Sequence, residues 1–185
     1  MAAESHMVEL GTKAPGFRLP DTISGKTLGL EQVKGPKGTL ILFICNHCPY
    51  VLHVLEELVR VGKDYQPQGV GVVAISANDV SAYPEDAPDK MSQLAREHGF
   101  SFPYLYDESQ ATARAYDAAC TPDLYVYDAD LKLVYRGQLD GARPKNTTPV
   151  TGADLRRALD CLVAGKPIDA HQVPSVGCSI KWKSK

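Results

Sequence analysis

Two short segments, Leu40-Ile41-Leu42-Phe43-Ile44 and Val70-Gly71-Val72-Val73-Ala74-Ile75, are almost continuously apolar, and between them Val51, Leu55, Leu58, Val61 and Tyr65 recur at helical spacing. Apolar strands joined by an amphipathic helix are the pattern of parallel strands covered on both faces, and such a βαβ unit crosses over in the right-handed sense. The chain is therefore directed to an α/β architecture. One dithiol motif falls inside the unit. Cys45-Asn46-His47-Cys48 stands where the first strand, Thr39 to Ile44, hands over to the helix, Pro49 to Tyr65. A helix N-terminus exposes unpaired N–H groups and carries about half a positive charge. A thiol held there ionises more readily and becomes a nucleophile.

With 185 residues, 44% of them hydrophobic, the chain can bury an ample core as a single domain without covalent staples. Its net charge of −2 is spread over interspersed positive and negative residues, which argues against nucleic acid or an anionic membrane surface as partner. Five cysteines are too few and too irregularly spaced for a secreted disulfide framework. No segment approaches the roughly 18 apolar residues of a membrane span, and Met1 to Leu10 lack a basic-then-apolar leader. The expectation is a soluble, cytoplasmic protein; its oligomeric state is left open. Ser5-His6-Met7 matches the scar of an expression tag, so residues 1–9 are expected to carry no fixed structure.

Alternation of Phe17, Leu19, Leu28 and Leu30 within the Gly- and Pro-rich stretch Leu10 to Gly38 predicts a small hairpin ahead of the main sheet. A polar loop, Ser81 to Pro88, precedes a helix from Asp89 to His98 that Gly99 stops. Phe102 to Tyr106 reads as a short strand, and Ser109 as the cap of a helix through Ala111, Ala115 and Tyr116. Leu124 to Tyr127 and Leu131 to Leu139 form an antiparallel hairpin around Asp128-Ala129-Asp130. Thr151 with Asp154 three residues on reads as a capping box for a last helix, buried through Leu155, Ala158, Leu159 and Leu162 and ended by Gly165. The division expected is 1–9, a folded domain over 10–165, and a tail over 166–185 without a clear period.

At the dithiol, Cys45 is expected to sit exposed at the helix cap and Cys48 inside the first turn, so that Cys45 attacks and Cys48 resolves the mixed disulfide. An imidazolium at His47, between the two sulfurs, would stabilise the thiolate and make it a better leaving group. Two alternatives remain at this point. Reduced core thiols have the same spacing, and so does half a zinc site.

Cys120-Thr121-Pro122-Asp123 immediately precedes the hairpin, and here the pattern becomes specific. The order strand, Cys-x-x-Cys, helix, strand, helix, Thr-Pro, hairpin, helix resembles a thioredoxin-like fold, a central mixed sheet flanked by helices. The stretches Gly11-Thr12-Lys13-Ala14-Pro15-Gly16-Phe17-Arg18-Leu19-Pro20-Asp21 and Gly25-Lys26-Thr27-Leu28 are similar to the N-terminal hairpin extension of the AhpC/TSA, or peroxiredoxin-like redoxin, family. The resemblance implies that Pro122 is cis and faces the dithiol and that the Thr121 backbone pairs with an incoming peptide. It also places Cys120 near the dithiol. Thirteen residues of chain after Gly165 can extend about 45 Å, enough for Cys178 to return there, so Cys120 and Cys178 form a candidate second redox pair. Cys161, on the rim of the last helix, reads as a packing residue.

Some family features differ. No Trp precedes the first Cys, and no carboxylate lies in Thr39 to Ile44. Aligned on Cys48-Pro49, the Thr and Pro that peroxiredoxins place ahead of their peroxidatic Cys are replaced by Cys45 and Ile41, and their peroxide-orienting Arg would fall near Pro122. The function expected is that of a thiol–disulfide oxidoreductase acting on protein or small-molecule disulfides or thiols, with no organic cofactor and no metal. An AhpC/TSA-type thiol peroxidase with an antioxidant role is the first alternative. A metal carrier is the second, using Cys45, His47, Cys48 and Cys120 as soft ligands for zinc or Cu(I).

Overall fold

Strand β4 (Gly38–Phe43) finds apolar cover on both faces, as its continuous run of large side chains requires. Leu40 and Leu42 enter one buried cluster with Val51, Leu55 and Leu58; Ile41 and Phe43 enter the other with Val73, Ile75, Tyr116 and Tyr125. These alternating sets are the two faces of one pleated strand. Each such side chain contributes about 1.5–3 kcal/mol when fully buried. The computed structural model describes residues 2–184.

The main sheet orders its strands Tyr104–Tyr106, Val70–Ser76, β4, Asp123–Asp128 and Leu133–Arg136. Earlier in the chain, β1 (Ala2–Glu4) is followed by the hairpin of β2 (Arg18–Pro20) and β3 (Thr27–Gly29), and by the one-turn helix α1 (Leu30–Val33). Helix α2 (Pro49–Tyr65) connects β4 to its parallel neighbour β5 (Val70–Ser76). Helix α3 (Pro88–Glu97) then leads to β6 (Tyr104–Tyr106), parallel to β5. Helix α4 (Ala111–Ala115) and the two-residue β7 (Cys120–Thr121) precede β8 (Asp123–Asp128), which runs antiparallel to β4 and pairs with β9 (Leu133–Arg136). Helix α5 (Ala153–Val163) closes the helical layer, and β10 (Val176–Ser179) follows. The βαβ unit, the N-terminal hairpin and the β8–β9 hairpin all stand as expected. Among the described residues no helix is long and apolar enough to cross a membrane.

Two helix starts differ from the sequence reading. Gly152, not Thr151, is the N-cap residue of α5, at φ 67°, and the carboxylate of Asp140 accepts the N–H groups of Thr151 (2.7 Å) and Gly152 (2.6 Å). The acceptor thus comes from eleven residues upstream, and Thr151 is not needed as cap. Gln110 is the N-cap residue of α4, while Ser109 Oγ accepts the Ala111 N–H at 3.2 Å.

The larger correction concerns both chain ends. Residues 2–4 form a strand, and Ser5 is buried, its N–H donating to the Ser175 carbonyl at 2.9 Å and its hydroxyl accepting the Ser175 N–H at 2.9 Å. The tail does not trail off either. Its strand β10 lies between β1 and β7 in a separate three-stranded sheet, Ile180 is buried, and the Lys181 N–H donates to Asn78 Oδ1 at 2.8 Å.

Candidate active site

Strand β4 continues its pairing as far as Ile44, whose N–H donates to the Ile75 carbonyl at 3.0 Å. The chain then leaves the sheet without entering the helix. Asp86, wholly buried in the turn Pro84–Asp86, captures the next residues. Its Oδ1 accepts the N–H groups of Asn46 (2.7 Å) and His47 (3.2 Å); its Oδ2 accepts His47 Nδ1 (2.6 Å) and Asn78 Nδ2 (2.8 Å). The Asn46 side chain adds bonds to the Glu85 carbonyl at 2.9 Å and from the Tyr104 hydroxyl at 3.1 Å. The first intrahelical bond of α2 runs from Leu52 N–H to the Cys48 carbonyl at 3.0 Å. Cys48 is therefore the N-cap residue, with Pro49 tolerated behind it because a first-turn N–H has no intrahelical partner.

Across from the motif, the Thr121–Pro122 peptide is cis. Thr121 faces both sulfurs: its Oγ1 lies 3.5 Å from Cys45 Sγ, and its carbonyl accepts from the Cys48 thiol at 3.1 Å. The expected opposition of Pro122 and Thr121 to the dithiol is thus present in the geometry. Behind it, Asp123 forms a fully buried two-pronged ion pair with Arg136, whose guanidinium also lies 3.8 Å over the Tyr125 ring and donates to the His6 carbonyl. This pair ties the residue after Pro122 to the neighbouring strand β9, and nothing in the local sequence pattern points to it.

The expected exposure of Cys45 is not found. Both sulfur-bearing residues are buried, Cys45 at 1% and Cys48 at 0% exposure. The two sulfurs act as one pair: their mutual contact holds one thiol down and the other up, burial raises both, and the charge of Asp86 adds to the rise at Cys45. As placed, the Cys48 thiol carries a proton, which it donates to the Thr121 carbonyl.

His47 does not stand free between the sulfurs. Its Nδ1 is held by Asp86, and its ring stacks on Tyr83 at 5.1 Å between centroids and 7° between planes. Asp86 is a buried carboxylate beside the dithiol, supplied by a loop rather than by β4, and the sequence reading missed it. Ligand atoms of Cys45, His47 and Asp86 lie within 4.8 Å of one another. Those three could approach a cation, but Asp86 already accepts four hydrogen bonds that a metal would have to displace. Cys48 and Cys120, expected as further soft ligands, are not in that group.

All five cysteines are free thiols. Cys178 is the cross-strand partner of Thr121, and Ser179 that of Cys120. Because successive residues of a strand point to opposite faces, Cys178 shares the face of Thr121 toward the dithiol, and Cys120 turns away from it. Cys120 Sγ points to the carbonyls of Pro122 (3.6 Å) and Ser175 (4.0 Å), and burial raises its thiol well above the usual range. The structure therefore does not bring Cys120 and Cys178 face to face; it sets Cys178 against Cys48 instead. The Thr121 backbone, expected to receive a peptide, is already paired with β10. Cys161 lines a surface cleft with Tyr135, Arg157 and His171, apart from the dithiol.

A βαβ unit with a Cys-x-x-Cys at the helix start, facing a cis-proline that leads into an antiparallel hairpin, defines the thioredoxin-like class. A putative thiol:disulfide interchange protein DsbE from Chlorobium tepidum shares this fold with a TM-score of 0.64 at 19% identity, over 85% of this chain and 99% of that one. The AhpC/TSA family profile matches residues 10–136, and the chain belongs to the AhpC/TSA family. An uncharacterized conserved protein from Geobacillus kaustophilus is 57% identical, with a TM-score of 0.98 over 100% of this chain and 98% of that one. Thiol-disulfide oxidoreductase ResA of Halalkalibacterium halodurans is 25% identical over 114 residues, 62% of this chain; the match spans about 60% of that relative's length.

Proposed function

We propose that this protein is a thiol–disulfide oxidoreductase whose Cys45–Cys48 pair passes between dithiol and disulfide. The observation that carries the reading is the placement of two thiols beside one residue, Thr121, at the start of α2. One sulfur of the pair, as a thiolate, attacks one sulfur of a disulfide presented to it, a bond forms between them, and the other sulfur leaves and takes a proton. The second sulfur of the pair, deprotonated, then attacks the first, closes the Cys45–Cys48 disulfide and releases the second substrate thiol. Two electrons and two protons have moved from the protein to the substrate, and no organic cofactor is required. Protein or small-molecule disulfides and thiols are the proposed substrates, and the likeness to the thiol-disulfide oxidoreductase ResA supports that class.

The test is equilibration in glutathione buffers of graded potential, followed by acid quench and mass mapping. Two thiols, Cys45 and Cys48, are expected to disappear together in one two-electron transition. A pair that stays reduced in the most oxidising buffer would sink the reading. A thiol peroxidase remains the second reading, because a thiolate at a helix start also suits attack on peroxide. Trapping of Cys48 sulfenic acid by dimedone in Cys45→Ser protein after peroxide treatment would favour it; among the described residues, no arginine hydrogen-bonds either sulfur to polarise the peroxide.

A further inference from the structure

Neither residue of the pair is exposed. Thr121 lies against both sulfurs, and β10 lies against Thr121: a Cβ added at Gly177 would stand 2.0 Å from the Thr121 carbonyl oxygen and 3.1 Å from the Pro122 nitrogen. That approach is possible only for glycine. It sets the next residue, Cys178, opposite Thr121 in the antiparallel register, on the face that looks toward the dithiol. Cys178 packs against the buried cluster containing Cys45 and Cys48, yet is itself only half-buried. Three thiols thus form one series, two sealed and one reaching toward solvent.

We propose that Cys178 is a third redox thiol of this site, exchanging disulfides with Cys48 and serving as the sulfur through which the buried pair reaches thiols and disulfides outside. The proposal rests on the dithiol reading above. Starting from the Cys45–Cys48 disulfide, the Cys178 thiolate attacks Cys48; the Cys48–Cys178 bond forms and Cys45 leaves, taking a proton. An external thiolate then attacks the outer sulfur, Cys178, and Cys48 leaves as a thiolate. A second external thiol releases Cys178 and departs as part of a new external disulfide. Two external thiols have become one disulfide, and the protein disulfide has become two thiols. Every step is reversible, so an external disulfide oxidises the pair by the same route.

Cys178 is pushed up to about 11 by burial and then by its hydrogen bond to Cys48 and the charge there; the part contributed by Cys48 is gone once Cys48 is in a disulfide, which is when Cys178 must attack. Cys120 takes no part, since it faces away and its thiol stays protonated.

The full-length Cys45→Ser protein, treated with oxidised glutathione, quenched in acid and mapped by mass spectrometry, tests the proposal directly. A Cys48–Cys178 disulfide is expected as the main product. In Cys45→Ser/Cys178→Ser protein, modification of Cys48 is expected to slow at least tenfold, and Cys178→Ala in place of Ser serves if the hydroxyl disturbs the strand. In otherwise wild-type protein, Cys178→Ser is expected to slow reduction of the Cys45–Cys48 disulfide by glutathione at least tenfold. Cys48 carrying glutathione while Cys178 stays free in the Cys45→Ser protein, or an unchanged reduction rate in Cys178→Ser, overturns the relay. Those results would leave the dithiol reading standing if wild-type protein still forms Cys45–Cys48. Failure of the wild-type pair to form, with Cys48–Cys178 appearing in Cys45→Ser, would instead sink the Cys45–Cys48 cycle.

Discussion

Asp86 holds the dithiol loop by four hydrogen bonds from inside the protein, so Asp86→Ala should cost both stability and the geometry of the motif. Of its four donors, the Asn46 and His47 N–H groups and the buried Asn78 amide lose their acceptor, and only the half-buried His47 ring can turn to water. An unsatisfied buried donor costs about 1–3 kcal/mol; with some water entering the vacated space, the sum is about 3–5 kcal/mol. For a domain of this size that lowers the melting temperature by about 6–20 °C. Asp86→Asn keeps a carbonyl oxygen for the two backbone N–H groups but turns an NH2 toward Asn78 Nδ2, donor against donor, and should cost about 1–2 kcal/mol. Both substitutions remove the charge that helps to raise Cys45, so its thiol should titrate lower in either variant. Thermal unfolding at pH 7 reads the first effect, and mass-resolved iodoacetamide labelling of Cys45 against pH reads the second. An Asp86→Ala protein melting within about 2 °C of wild type would refute the structural account. An unshifted Cys45 profile in Asp86→Asn would refute the electrostatic one.

Two further outcomes are expected. Because the contact between the two sulfurs holds one of them down, one thiol of the pair should label slowly with iodoacetamide at a rate nearly flat through the neutral range, whereas an ordinary thiol near 8.5 gains about tenfold per pH unit; a tenfold rise per unit between pH 6 and 8 at both sulfurs would show that the pair holds no stabilised thiolate. Arg136→Met strands the buried Asp123 carboxylate without its partner, which should cost about 3–5 kcal/mol, with Asp123→Asn in the same chain recovering part of the loss; a single variant as stable as wild type in urea would show that the pair does not anchor the residue after Pro122.

What the sequence reveals here is what repeats locally. The β4–α2–β5 unit is legible because strand and helix periods fall on contiguous residues, and Thr121-Pro122 is legible through its order ahead of the hairpin. Asp86 lies in a loop without period, and its function consists of bonds to residues thirty-nine and forty positions away and to Asn78, eight positions before it. No local pattern encodes such bonds. Strand β10 is four residues long and includes a glycine; its pairing to β1 and β7 joins the two ends of the chain to the middle, so the segment read as a tail is the one that packs against Thr121 and the cluster holding the dithiol. The same distance explains the misplaced partner of Cys178. Proximity of Cys120 to Pro122 in sequence suggested a pair, but the pleat, visible only once the register is known, turns the two side chains to opposite faces.

The late start of the helix follows from the same long-range contact. A Cys-x-x-Cys whose first residue caps the helix would place the helical N–H groups at Cys45. Here Asp86 takes the Asn46 and His47 N–H groups for itself, so those donors are withdrawn from Cys45 and a buried negative charge stands beside it. The helix starts three residues later, with Cys48 as its N-cap residue, so its N-terminal field falls there. A carboxylate on one side and a helix terminus on the other therefore give the two sulfurs different surroundings across four residues. Cys45 stands on the side of Asp86, and Cys48 on the side of β10, where Cys178 lies opposite Thr121.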